Sequence, residues 1–307
     1  MSAPNDAPLA VVALGGNALL ARGDPASAAN QLRAAKEAAS VLGPVARETR
    51  LVITHGNGPQ VGLLSLKEDS FGDGTPYPLD VLDAETEGQI GYVVELELDN
   101  AIEHQDTVAL ITRVLVDADD PAFAEPTKFI GAVYDEPTAK QLAAERGWTV
   151  KPDGSHWRRV VASPEPKEIV QLAAIRRLVE GGFLVVCAGG GGVPVVLGDD
   201  GQTGVEAVID KDLASALLAM GLDADVLVLA TDVDAVYEDW GGSDERAVER
   251  ATPSWLRGRG FAEGSMGPKA EAASRFVEAT GRRAAIGALS ELPALVAGTA
   301  GTQVSPD

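Results

Sequence analysis

The sequence predicts an α/β fold built on an open, mainly parallel sheet with helices on both faces. Two observations lead there. Short, fully apolar segments alternate with longer segments of helical composition. A strand that is apolar throughout must be covered on both sides, which is the signature of a parallel sheet between helix layers. Taken in order, residues 9–14 form the first strand and run into Gly15-Gly16-Asn17. Residues 26–47, rich in Ala, Leu, Glu and Lys, form a helix. Residues 51–54 are the second strand and end in His55-Gly56-Asn57-Gly58-Pro59. Residues 79–104 read as a helix and residues 108–113 as the third strand. Residues 183–187 are a fourth strand ending in Ala188 and Gly189-Gly190-Gly191-Gly192. Residues 226–229 are a fifth, ending in Thr231-Asp232, and residues 284–286 a late one. In such folds ligands bind beyond the carboxyl ends of the strands. Four strand ends here carry Gly, Asn, His or Asp, and chemistry is expected there.

One stretch departs from the alternation. Residues 117–160 hold Pro121, Pro126, Pro137 and Pro152 together with Trp148 and Trp157. A structureless loop of that length is unusual in a compact domain, so an inserted subdomain or lid is expected. The polar tail, residues 302–307, is expected to fray.

The 307 residues carry 46 acidic and 25 basic side chains, a formal charge of −21. Nucleic-acid binding needs a basic footprint, and this balance is its opposite. Such a surface repels itself, and salt relieves the repulsion. A host with high internal salt, as in halophiles, is therefore expected. No apolar run approaches the roughly 18 residues of a membrane span. The first eight residues lack the basic and apolar regions of a signal peptide. The single cysteine, Cys187, cannot pair within the chain and reads as a small core residue. These features predict a cytoplasmic protein with no membrane or nucleic-acid partner.

Chemistry is carried first by glycine. A glycine-rich turn after a strand lets backbone N–H groups approach an anion, and a following helix adds its dipole. Gly15-Gly16, Gly56-Asn57-Gly58 and Gly189 to Gly192 form three such turns. Any one of them could be only a tight connection; the set points to a phosphate-bearing ligand. No G-x-x-x-x-G-K-[ST] loop is present. The run from Gly56 to Gly62 comes near a dinucleotide fingerprint but has one residue too many. A nicotinamide oxidoreductase stays open as an alternative at this point.

Lysine is scarce, with only eight in the chain. Lys211, in Asp210-Lys211-Asp212, stands where a helix begins, and so does Lys269, after Pro268, a residue suited to the first helical position. A cation in a first turn faces the positive end of the helix dipole, at a cost of roughly 0.3–1 kcal/mol. Two lysines in that place suggest a waiting anion. Lys128 lies inside the inserted segment and by itself reads as a solvated loop lysine. Asp212 is either a helix cap or an anchor holding the lysines. His55 is either structural or in contact with ligand. His104 and His156 show no partner pattern, and no His/Cys set with zinc spacing exists, so no protein-held metal is expected.

The motifs taken together resemble the carbamate kinases of the amino-acid-kinase family. The resemblance rests on Ala13-Leu14-Gly15-Gly16-Asn17-Ala18-Leu19 and His55-Gly56-Asn57-Gly58-Pro59-Gln60-Val61-Gly62. It continues through Asp120-Pro121-Ala122-Phe123, Pro126-Thr127-Lys128, Trp157-Arg158-Arg159-Val160-Val161 and Ser163-Pro164. Gly189-Gly190-Gly191-Gly192-Val193-Pro194, Glu206 to Asp212 and Gly264-Ser265-Met266-Gly267-Pro268-Lys269 complete it. One departure is Phe129, where the family pattern has a second proline after Lys128.

The resemblance implies an open, mainly parallel αβα sandwich with a protruding lid subdomain, usually dimeric. Residues 1–205 would form the lobe for carbamate or carbamoyl phosphate, with residues 117–160 as the lid. Residues 206–307 would form the lobe for ATP or ADP with Mg²⁺. The implied reaction is phosphoryl transfer between ATP and carbamate, often run toward ATP in arginine fermentation. Gly15, Gly16 and Asn17 would cradle the transferring phosphoryl group. His55, Gly56, Asn57 and Gly58 would hold the carbamate side, with Gly190 and Gly191 nearby. Lys128, Lys211, Asp212 and Lys269 would be catalytic. Thr231, Asp232, Val233 and Tyr237 would line the nucleotide pocket, with Met266 and Gly267 opposite. Carbamate is already an anionic nucleophile and needs no general base, which agrees with a chain of three histidines.

Overall fold

A computed structural model of the chain describes residues 3–4, 6–19, 27–70, 76–103, 105–261 and 266–307, without the side chains of Asn17, Ala18, Asp69 and Ser70. Ala26, His104, Gly264 and Ser265 fall outside the described residues.

The strand Leu9–Leu14 shows why the fold forms. All six residues are buried. Because side chains alternate across a strand, Leu9, Val11 and Ala13 enter one core while Ala10, Val12 and Leu14 enter the other. The strands Arg50–His55 and Val226–Thr231 split the same way: Val52, Leu227 and Leu229 to the first core, Leu51, Ile53, Val226 and Val228 to the second. Each such Val, Leu or Ile contributes about 1.5–3 kcal/mol by leaving water.

Eight strands form the central sheet. Their order across it is Arg250–Ala251, Thr302–Val304, Arg283–Ala288, Val226–Thr231, Leu9–Leu14, Arg50–His55, Leu184–Val186 and Thr107–Ala109. All neighbouring pairs are parallel except Thr302–Val304 with Arg283–Ala288. The chain leaves Leu9–Leu14 for one side of the sheet and returns to its other side with Val226–Thr231. That reversal of direction opens a crevice at the carboxyl ends of these strands.

The helices Ala28–Ala46 and Leu79–Ala101 cover the second core, and Lys211–Leu222 and Met266–Thr280 the first. Ser27 caps the first of these by accepting from Asn30 N at 3.3 Å. The second stops at Ala101, short of His104, because Ile102 turns to an extended conformation.

Residues 108–113, expected as one strand, are divided. Thr107–Ala109 stays in the central sheet, and Arg113–Val116 joins a separate four-stranded sheet with Val193–Gly198, Gly201–Gly204 and Pro166–Ile169. The break falls at Thr112, whose N–H bonds the Glu87 carboxylate at 3.0 Å instead of a neighbouring strand. The tail also differs from expectation. Thr302–Val304 is a strand, Val304 is buried, and Thr302 Oγ1 accepts from Val236 N and donates to Val248 O.

Within the inserted segment, Lys128–Tyr134, His156–Val161 and Thr149–Asp153 pair as an antiparallel three-stranded sheet, with the helix Glu136–Arg146 between its first two strands in sequence. Asp135 caps that helix and Gly147 ends it in the left-handed conformation. Among the described residues no helix is long and apolar enough to cross a membrane.

Candidate active site

Three glycine turns and three lysines meet at the crevice. Gly15 follows Leu14 and presses on the end of the neighbouring strand: a methyl group there would lie 3.0 Å from Ala230 O. A methyl on Gly56 would lie 3.4 Å from Gly16 N and 3.5 Å from Lys211 Cδ. Gly56 of the second turn therefore packs against both the first turn and the Lys211 side chain. Gly16 opens a short helix, Gly16–Leu19, that includes Asn17, whose side chain is outside the described set.

The third turn lies beside the second. Gly190, Gly191 and Gly192 have φ of +69°, +98° and +86°, a run that residues with a Cβ avoid. Close packing excludes side chains as well. A Cβ on Gly189 would sit 2.4 Å from His55 Nε2, and one on Gly190 would sit 2.3 Å from Asn57 Nδ2. His55 is thus fully buried, packed against Gly189. Burial, aided by the nearby charge of Lys211, lowers its pKa to about 4, so it is neutral at ordinary pH.

Two acids on one face of the helix Leu79–Ala101 hold these turns. Asn57 Nδ2 donates to Asp83 Oδ1 and to Thr86 Oγ1, both at 2.9 Å. Glu87 accepts from Gly189 N at 2.7 Å and from Thr112 N at 3.0 Å. Burial pushes Glu87 up to about 8 despite those two donors, and pushes Asp83 well above the usual carboxylate range. Sequence reasoning missed both acids. The available signal was their spacing with Thr86, which puts polar groups on the face that Leu79, Leu82 and Ile90 bury.

The lysines converge on two aspartates. Asp210 caps the helix Lys211–Leu222 by accepting from Asp212 N at 2.9 Å, so Lys211 is the first helical residue. Lys211 Nζ donates to Asp212 Oδ1 at 2.5 Å, and Lys269 Nζ donates to Oδ2 of the same carboxylate at 3.1 Å. Burial would raise the Asp212 pKa, but the two lysines outweigh it and hold it near 2. Burial lowers the Lys211 pKa, Lys269 lowers it further, and Asp212 opposes both. Lys128 Nζ, on the three-stranded unit, donates to Asp210 Oδ2 at 2.7 Å and remains about a third exposed, at 32%. Asp210 was not singled out in the sequence, although its place before a helix start marks it as a cap. A further anchor is Ser215, which donates to Lys211 O and lies 2.6 Å from Thr54 Oγ1.

A cavity of about 450 Å³ lies against Met266, the first described residue of the helix that carries Lys269. Thr231, Asp232, Val233, Tyr237 and Met266 are among the residues that line it. Gly267 is absent from its lining but directly follows Met266 in the helix that carries Lys269. Pro268 is the third described residue of that helix, not the first. Trp240 and Phe261 add aromatic surface that was not predicted, with Trp240 edge-on to Tyr237 at 5.1 Å between centroids. The cavity's aromatic, partly apolar lining suits a planar heterocycle. Cys187 is buried in the core and takes no part.

The comparisons agree with this geometry. The amino acid kinase family model matches residues 8–288. A carbamate kinase of Rhizobium meliloti is 51% identical over 299 residues, covering 96% of this chain and 92% of the relative. One from Escherichia coli K12 is 51% identical, covering 96% of this chain and 98% of its own. The structure of a carbamate kinase from Giardia lamblia bound to AMP-PNP superposes with a TM-score of 0.91 at 38% identity, covering 99% of this chain and 100% of that one. This chain belongs to the amino acid kinase family and, within it, to the carbamate kinases.

Proposed function

We infer that the protein transfers a phosphoryl group reversibly between ATP and carbamate, giving ADP and carbamoyl phosphate. A carbamate oxygen attacks the γ-phosphorus, the bond to the β,γ-bridging oxygen breaks, and ADP leaves. The observation that carries this reading is the shared carboxylate. Asp212 joins Lys211, whose side chain lies against Gly56 of the second glycine turn, to Lys269, one turn along the helix whose first described residue, Met266, lines the aromatic cavity. One charge cluster thereby spans the acceptor side and the nucleotide side.

The chemical difficulty is bringing an anion against a polyanion. Two like charges at 4 Å repel by about 4 kcal/mol at an effective dielectric of 20. Lys211 and Lys269 offset that repulsion as charge moves to the bridging oxygen. Gly15, Gly16 and Asn17 offer main-chain N–H groups to the transferring phosphoryl group. Gly56, Asn57 and Gly58, with Gly190 and Gly191 beside them and His55 packed beneath Gly189, hold the carbamate. Lys128 closes over carbamoyl phosphate from the three-stranded lid. Thr231, Asp232, Val233, Tyr237, Met266 and Gly267 receive the nucleotide. In this assignment residues 1–205 serve the acceptor and residues 206–307 the nucleotide.

Mg²⁺ fits as a companion of the nucleotide and not as a resident ion. Among the described residues no three His, Cys, Asp or Glu side chains converge to hold a metal. Asp212, the nearest carboxylate to the lysines, already has both oxygens bonded to them. The ion would be held by phosphate oxygens and water, and would supply charge neutralisation there.

Three further assignments are proposed. A homodimer is supported by the exposed Tyr92 and Ile111, which lie beside the edge strand Thr107–Ala109. A salt-rich cytoplasm is supported by the charge of −21, and ATP synthesis from carbamoyl phosphate in arginine breakdown by the family likeness. The test of the activity is direct: purified protein, ADP and carbamoyl phosphate in high salt, with ATP measured. Absence of ATP would refute the assignment.

A further inference from the structure

The helix Gly58–Ser70 and the strand Lys128–Tyr134 touch backbone to backbone at two glycines. A methyl group on Gly62 would lie 2.7 Å from both the N and the Cα of Gly131. The obstacle is main chain, which cannot swing aside as a side chain can, so a close-packed contact of this kind has no slack. Gly131 has a φ of +71° and begins the register shift between Ile130 and Tyr134. Both glycines stand close to proposed substrate groups. Gly62 is one turn into the helix that starts at Gly58, the last residue of the carbamate turn. Gly131 follows Lys128 by three positions on one strand.

The rest of the contact reinforces this seat. Ile130 packs with Val61 and Val208. Lys128 bonds Asp210 at 2.7 Å. Arg159, on the neighbouring strand, donates to Ser65 Oγ at 3.1 Å.

We propose that Gly62 is a positioning residue: its missing side chain lets the three-stranded lid seat against the helix Gly58–Ser70, and that seat fixes Lys128 relative to the carbamate turn. The inference rests on the reading of Lys128 as a substrate lysine. A misplacement of about 1 Å in a positioned charge can lower a rate by on the order of a hundredfold. A backbone collision at 2.7 Å therefore reaches the chemistry through Lys128 without touching substrate.

The experiment is a double-mutant cycle of Gly62→Ala and Lys128→Ala, read as ATP formed from ADP and carbamoyl phosphate. Gly62→Ala is expected to lower kcat/KM for carbamoyl phosphate by roughly tenfold or more. The KM for ADP should stay that of the parent, and Gly62→Ala should cost nothing further in the Lys128→Ala background. Additive losses, or parental kinetics for Gly62→Ala, overturn the proposal. Parental kinetics for Lys128→Ala overturn it by a separate route, because then the substrate reading of Lys128 is what failed. If Gly62→Ala does not fold, Gly131→Ala replaces it. That methyl meets open space but opposes the φ of +71°, and loosens the same strand from the other side. The same loss of effect without Lys128 is expected, and additivity again overturns the proposal.

Discussion

Lys211 and Lys269 donate to opposite oxygens of one carboxylate, Asp212 Oδ1 at 2.5 Å and Oδ2 at 3.1 Å. Two largely buried cations, each 12% exposed, would repel each other without that bridge. With it they form one positive centre beside the second glycine turn, joined to the aromatic cavity through the helix that carries both Lys269 and Met266.

Lys211→Ala should lower turnover by on the order of a hundredfold, the usual effect of losing one preorganised charge at a phosphoryl-transfer site. ADP binding, followed by the fluorescence of Trp240 at the cavity edge, should change far less. Unchanged turnover would remove Lys211 from the chemistry.

Asp212→Asn keeps the shape and removes the bridge charge. Burial and Lys269 already push the Lys211 pKa down, and Asp212 is what opposes them. In the variant that pKa falls further. The alkaline limb of the pH–rate profile is therefore expected to move to lower pH, together with a fall in kcat. A variant with reduced kcat but an unmoved alkaline limb would show that Asp212 does not sustain the charge on Lys211.

His55 should make the fold acid-sensitive in a defined window. Its folded pKa is about 4 against the ordinary imidazole value of 6.5, so the native state favours the neutral ring. The sign follows from proton uptake: the unfolded chain binds a proton at higher pH than the folded one. Stability from this group is present above pH 6.5 and is lost as pH falls through 4. The shift corresponds to about 3 kcal/mol. Denaturant titrations of the parent and His55→Gln should diverge by that order between pH 7 and 4, with the variant flatter. Parallel curves would contradict it. Glu87 titrates the other way, from about 8.

Salt should stabilise the protein. With a charge of −21, raising KCl from dilute buffer to about 1 M shortens the screening length from tens of ångströms to roughly 3 Å. The melting temperature is expected to rise across that range. A flat or falling curve would refute adaptation to high internal salt.

The apolar runs by themselves determined the parallel sheet, because a strand such as Leu9–Leu14 with no polar face has no other stable place. Glycine placement and scarce lysines at helix starts marked an anion site, and the ordered motifs implied its identity. Tertiary structure decided the rest. Asp83 and Glu87 read as ordinary helix acids until packing buried them against Asn57 and Gly189. Thr112 ended a strand that the sequence ran through, because a carboxylate from a distant helix bonds its N–H. Lys128 read alone as a solvated lysine, and only the seat of Gly131 on Gly62 and the bond to Asp210 bring it to the site. Local pattern reports which face of an element avoids water. It does not report which distant group will supply a buried polar atom with its partner, because that is settled by contacts between segments far apart in the chain.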